Sequence, residues 1–346
     1  MTLQDAVQDF VVTFSSVLWE AMPFIVLGAL IAGILEELLP QQAMAKIIPR
    51  SALPAAAIGG LLGLVFPMCE CGIVVVMRRL LRKGLPLSCC IAYMLAGPIV
   101  NVVVLLSTYI AFGGLNPDGG ISYQMVALRA GLGFTVAVVT GVVVHFAQQN
   151  YGTAQLLKPL AMPPTPVTLP LAGEQPPKEE TAPKKSVMQR LGNISQTALH
   201  DFLDITVFLI LGAALAAAAK LYINPEDLTT MSHEQPYLAI PAMMGMAVLM
   251  CLCSEADAFV AASFTEMSVS SKLGFLVLGP MLDLKLLLMY TRVFRGRLIA
   301  VIVTCTVLQT AAYTMIVHNL YNPTPLELKT GGATAPTPTP APAEQK

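Results

Sequence analysis

Residues 10–35 read FVVTFSSVLWEAMPFIVLGALIAGIL, and Glu20 is the one charged side chain among them. A helix needs roughly 20 consecutive apolar residues to cross a hydrocarbon core about 30 Å thick. This run is long enough. Further apolar runs follow at Leu53–Met68, Leu85–Phe112, Met125–Phe146, Phe202–Leu221, Tyr237–Leu252, Leu273–Tyr290 and Leu298–Val317. Lipid requires backbone groups to be satisfied within each segment, so the runs are helices. The alternating ten-residue strands of a membrane β-barrel are absent. The sequence therefore predicts an all-α integral membrane protein with about eight transmembrane helices.

Composition agrees. Of 346 residues, 55% are hydrophobic and 12% are charged, against about 25% charged in soluble domains. A net charge of −1 gives no basic surface for phosphates, which excludes nucleic acid as a partner. The start, MTLQDAVQDF, lacks the basic n-region of a cleaved signal, so the first span is expected to stay as an anchor. Residues 150–197 are dense in proline and charge and read as a disordered cytoplasmic linker between two membrane halves, 1–149 and 198–321. The Pro/Thr/Ala-rich tail, 322–346, also reads as disordered. Arg78, Arg79, Arg82, Lys83 and the lysines of the linker mark cytoplasmic loops. Eight spans with both termini cytoplasmic fit that bias, except that Arg292, Arg295 and Arg297 would then lie outside.

The halves look duplicated, four helices each. Cys69-Glu70-Cys71 is followed by Gly97-Pro98 and Asn101, and Cys251-Leu252-Cys253 by Gly279-Pro280 and Asp283. In both blocks the Gly-Pro starts 28 residues after the first cysteine and the polar residue lies 32 after it. Glu20 aligns with Asp204 upstream. Transporters commonly place the solute at such a repeat interface, on interrupted helices near the bilayer midplane.

Pro67 and Gly72 bracket the first cysteine pair, and Gly97-Pro98 and Gly279-Pro280 interrupt later spans, so these six residues are the expected hinges. A broken helix frees amides and carbonyls to meet a solute. The thiols of Cys69, Cys71, Cys251 and Cys253 suit soft ions and form a candidate metal set. The same cysteines also read as small packing residues. Glu255 and Asp257 follow the second pair. A carboxylate at the bilayer centre costs about 2.5–3.5 kcal/mol, so both are expected to face a cavity or a partner, and Arg78 and Arg79 of the first half are the expected partners. Otherwise they sit at a membrane boundary in water. Asn101 and Asp283 point toward the Gly-Pro kinks as solute contacts, or serve as hydrogen-bonding glue between helices. Glu20 and Asp204 relay protons or simply hydrate at the interface. Cys89, Cys90 and Cys305 have no matched partners and read as packing. No nucleotide-binding, hydrolase or metalloprotease motif is present, so neither an enzyme nor a nucleotide-driven pump is expected, and no cofactor is called for.

At the two cysteine motifs the chain resembles a bacterial family of predicted permeases, which includes permeases for trivalent organoarsenicals and two-component membrane permease complex subunits. The resemblance rests on Pro67-Met68-Cys69-Glu70-Cys71-Gly72, Gly84-Leu85-Pro86, Gly97-Pro98 with Asn101, Cys251 to Ala258, and Gly279-Pro280-Met281-Leu282-Asp283. It covers the membrane halves, not the linker or tail. The family usually shows Cys-Ser-Cys-Gly followed by a proline. Here Glu70 stands between the thiols and Ile73-Val74-Val75 holds no proline. The resemblance implies a multi-pass permease of the bacterial inner membrane, with lipid, a small-molecule or metalloid substrate, and a second permease subunit or another copy as partners.

Two functional expectations result. The first is a gradient-driven permease whose small thiophilic solute (a metalloid, metal or sulfur species) meets Cys69, Cys71, Cys251 and Cys253, with Glu255, Asp257, Asp283 and Asn101 in the same site. The second is a non-transporting membrane subunit whose cysteine pairs exchange disulfides or hold a structural metal.

Overall fold

The computed structural model describes residues 3–38, 49, 51–66, 68–113, 121–161, 187–220, 236–265 and 267–321. These residues are helical throughout, with no strand beyond an isolated antiparallel bridge between Leu157 and Phe294. Four helices are long and apolar enough to cross a membrane: α1 (Leu3–Leu38), α6 (Ser122–Tyr151), α8 (Val187–Lys220) and α13 (Gly296–Tyr321). Their apolar windows have mean hydropathies of 1.8 to 2.0 and are less than half buried. Trp19, Leu27, Phe146, Leu203, Leu211 and Leu308 point outward from them. A soluble protein would hide such residues; a chain dissolved in lipid need not.

The other predicted spans are interrupted. Leu53–Met68 forms α2 (Ala52–Val65), whose 14 residues make a rod of about 21 Å, too short to cross. After it comes α3 (Glu70–Arg82). Leu85–Phe112 divides into α4 (Leu87–Ala96) and α5 (Val102–Ala111) around Gly97-Pro98. Likewise α9 (Pro236–Met250) stops at Cys251, with α10 (Asp257–Ser263) beyond it. Leu273–Tyr290 divides into α11 (Val269–Leu278) and α12 (Leu284–Val293) around Gly279-Pro280. Proline removes an N–H and clashes with the preceding turn, so each Gly-Pro ends its helix.

Of the interrupted helices, α3, α4 and α11 form the interior. Every residue of α4 is buried, as are Glu70 to Leu81 of α3 and Ser270 to Leu278 of α11. Two close approaches fix their directions. A β-carbon on Gly59 would stand 2.2 Å from the Cys89 carbonyl oxygen, and one on Gly63 would stand 2.8 Å from Gly97 Cα. So α2 runs alongside α4 in the same sense. Because a tight turn reverses the chain between α3 and α4, α2 and α3 make a hairpin that returns to the end where it starts. The second half does the same. Gly274 packs on Met244 and Gly279 on Ala247, so α9 and α11 run together and the chain has doubled back between them.

The ends can be matched as well. Gly28 packs on Gly72, Gly33 on Ile194, and Gly212 on Lys285. Arg79 pairs with Asp201. Hence α1 runs with α3, and α8 runs against both. Lys158 N donates to the Val293 carbonyl at 3.0 Å and Arg295 N to the Leu156 carbonyl at 2.9 Å. The segment after α6 and the segment after α12 therefore meet at one end.

Parts of the predicted linker are ordered. Residues 151–161 contain α7 (Thr153–Leu156) and a 3-10 turn (Pro159–Ala161), and α8 already begins at Val187. Leu156, Leu157 and Ala161 are buried in the main core, which is why this proline-containing stretch holds its place. The rest of the linker and the tail lie outside the described residues.

Candidate functional site

The two cysteine motifs come together in the interior. Glu70 opens α3, with Cys69 as its N-cap residue in extended conformation. Cys251 ends α9 with φ of 50°, a left-handed conformation unusual for a side-chain-bearing residue. That turn aims the Cys251 carbonyl inward, where the Lys285 ammonium donates to it at 3.2 Å. The same ammonium donates to Glu70 Oε1 at 2.7 Å and lies 3.6 Å from Asp283 Oδ2. Lys285 thus ties the first break to the second. The Cys71 thiol reaches Glu70 Oε1 at 3.8 Å. The Cys253 thiol donates to Glu20 Oε1 of α1 at 2.6 Å. All four sulfurs are buried, and Glu255, beside Cys253, is half-buried.

Asn101 and Asp283 do the same local job. Asn101 Oδ1 accepts from Val104 N at 3.0 Å and Asp283 Oδ1 from Leu286 N at 2.7 Å. Each caps the helix restarting after a Gly-Pro break, satisfying one of its orphan amides. Capping explains how Asp283 meets Lys285 although two residues separate them. Asp283 is outside the helix, in extended backbone, so the rule that such residues face apart does not apply to it.

Asp257 goes elsewhere. It accepts from Arg129 Nη2 at 2.7 Å. Arg129 is wholly buried in the first third of the apolar helix α6, and it also donates to Thr108 Oγ1 at 2.8 Å and the Ser254 carbonyl at 3.1 Å. The expectation that Glu255 and Asp257 meet Arg78 and Arg79 is corrected. Arg78 pairs with Asp201 and Asp204, and Arg79 with Asp201. Asp204 also accepts from Arg292 Nη2 at 2.7 Å. The reason is direction: α3 carries Arg78 and Arg79 away from the cysteine break and toward the middle of α8, where Asp201 and Asp204 lie.

The hinge residues divide. Gly97 and Gly279 end α4 and α11, with Pro98 and Pro280 just beyond. Gly72 is not at a break. It lies in the first turn of α3, where a β-carbon would stand 2.9 Å from the Phe24 carbonyl oxygen, so its role is close packing against α1. Pro67 lies outside the described residues. No three His, Cys, Asp or Glu side chains form a metal-holding group among the described residues.

Sequence reading passed over Arg129, Glu70 and Lys285 as members of the site. A signal existed. Each is a charge within an apolar run or at its edge, and such charges require a partner. Pairing over 128 and 215 positions cannot be read from spacing, however.

A set of lipid-exposed long helices around interrupted, ion-paired ones defines a polytopic membrane permease. The chain belongs to the predicted permease family, whose model matches residues 6–319. It is 35% identical over 318 residues to the UPF0718 protein YcgR of Bacillus subtilis, covering 92% of this chain and 99% of that protein. It is also 30% identical over 316 residues to a protein of Streptococcus mutans named as a two-component membrane permease complex subunit, covering 91% and 97%. No solved structure matches.

Proposed function

We propose that this permease moves a small thiophilic solute through the junction of its two interrupted hairpins, driven by a gradient. The observation that carries the proposal is Lys285, which binds Glu70 beside Cys69 and Cys71 and the carbonyl of Cys251 at once. A solute that loosens this contact would reach both cysteine pairs.

Our layout replaces eight crossings with six crossings and two re-entrant hairpins. The crossings are α1, α4 with α5, α6, α8, α11 with α12, and α13. The hairpins are α2 with α3 and α9 with α10. Three crossings per half make the repeats inverted, an arrangement common in transporters. This layout gathers the loop charges on one face. Lys46 and Arg50, Arg82 and Lys83, Lys158, and Arg295 and Arg297 all fall there. Residues 113–121, 221–235 and 264–268, on the other face, contain no Lys or Arg. The basic face is cytoplasmic by the positive-inside rule, and both termini lie opposite it. The bacterial cell membrane is the proposed location, and the name of the Streptococcus mutans relative motivates a second permease subunit as partner.

The reading of these cysteines as redox or structural-metal groups has less support, since the family is one of predicted permeases and the Streptococcus mutans relative is named as a permease subunit. The test is the resistance of an expressing strain to a panel of arsenicals, copper, zinc and thiol compounds. The account expects a change for at least one compound, lost in Cys69→Ser/Cys71→Ser with membrane insertion intact. Full retention of that phenotype in the double variant rules out a thiol role.

A further inference from the structure

The centre carries more negative than positive charge. Glu70 and Asp283 are both fully buried, and one ammonium serves them both. Two carboxylate oxygens, Glu70 Oε2 and Asp283 Oδ2, are buried without a hydrogen bond. Asp283 Oδ2 lies 3.6 Å from Lys285 Nζ, beyond hydrogen-bonding distance. Two further acids adjoin the group: Glu20 accepts from the Cys253 thiol at 2.6 Å, and Glu255 follows Cys253 by two residues. Unbalanced charge is expensive in a low-dielectric interior. An anionic solute would add to the excess; a cationic one would cancel it. The way the ammonium is held also matters. A carboxylate at 2.7 Å, a carbonyl at 3.2 Å and a second carboxylate beyond them are the ligands that a free monovalent cation of similar size would use.

We propose that Glu70, Asp283 and the Cys251 carbonyl form a binding site for a monovalent cation, and that the Lys285 ammonium is its tethered occupant. The solute class is then a monovalent cation of ammonium-like size. The inference rests on the permease reading and narrows it. Cys71 and Cys253, beside the carboxylates, favour a polarisable ion within that class. In this account Lys285 competes with the free ion, swinging away from Glu70 as the ion enters and returning as it leaves.

The probe is thallium(I), measured by equilibrium binding to the full chain in lipid nanodiscs, with lithium as the small-ion control. The wild type should bind thallium and prefer it to lithium. Lys285→Met should bind it at least about tenfold more tightly, because the competing group has gone. Glu70→Gln should lose binding, as should Asp283→Asn, which keeps the helix cap. A Lys285 that merely stabilises the fold predicts no gain in affinity for Lys285→Met. No binding to the wild type, or binding unchanged in both carboxamide variants, overturns the proposal. Face-dependent alkylation of the central cysteines, measured on the same preparation, reports the permease reading independently. Alkylation from both faces without thallium binding would leave a permease for another class of solute.

Discussion

Lys285 of α12 and Glu70 at the head of α3 are joined at 2.7 Å, across 215 positions of sequence. One residue follows a Gly-Pro break in the second half, and the other lies between the cysteines of the first. Neither is exposed. Removing one partner of such a pair leaves a buried charge, typically at a cost of 3–5 kcal/mol, whereas replacing both with apolar groups costs much less. Lys285→Met and Glu70→Leu should therefore each lower thermal stability in detergent, and the double variant should recover a large part of the loss. Additive losses would show that the two side chains are not paired.

Asp204 clamps the basic face. It accepts from Arg78 Nη1 at 2.7 Å and from Arg292 Nη2 at 2.7 Å, linking α3 to α12. Arg292 is 43% exposed while Arg78 is 3% exposed, so the clamp sits at the edge of the interior. Asp204→Asn should raise the rate at which an impermeant maleimide, added from the basic face, reaches Cys71. About 1–3 kcal/mol of lost charge-assisted hydrogen bonding corresponds to roughly five- to 150-fold. Mass spectrometry of the labelled chain reads the rate; an unchanged rate removes the clamp from the account.

Arg129 holds the second break from the side of α6. With Asp257, Thr108 Oγ1 and the Ser254 carbonyl as partners, its removal strands a carboxylate inside the fold. Arg129→Met should cost about 3–5 kcal/mol. Arg129→Met with Asp257→Leu should restore most of that. Lysine in place of Arg129 should retain only part, because one ammonium cannot reproduce the guanidinium fork. Thermal unfolding of the four chains decides the matter.

The two caps offer a milder test. Asn101→Asp and Asp283→Asn keep a side-chain oxygen for Val104 N and Leu286 N. Asn101→Ala should cost about 1 kcal/mol, the usual worth of an N-cap. Asp283→Ala should cost more, since it also removes a charge facing Lys285. Equal losses in both alanine variants would mean that the Lys285 contact contributes nothing.

Much of this architecture was legible in the sequence. Four unbroken apolar runs became the four long helices, and each Gly-Pro and each cysteine pair became an interruption. The matched offsets placed Asn101 and Asp283 in equivalent roles. The six crossings proposed above are harder to read. Hydropathy registers an apolar stretch whether it crosses or turns back, and α2 at 14 residues scores like a span while being too short for one. The misfit of Arg292, Arg295 and Arg297 was the available clue, and the bridge between Leu157 and Phe294 supplies its cause. The ion pairs could not be read at all. Sequence shows that Arg129, Glu70 and Lys285 need partners; only the packing of distant helices says which.

In the proposed mechanism a solute reaches the four sulfurs from either side of the membrane through the junction of the hairpins. That mechanism is tested most directly on a chain keeping only Cys71 and Cys253, labelled with an impermeant maleimide in right-side-out and in inside-out vesicles. The account predicts labelling of both cysteines from both faces, with Asp204→Asn biasing it toward the basic face. Labelling by lipid-soluble maleimide alone, with none from either aqueous side, would contradict it.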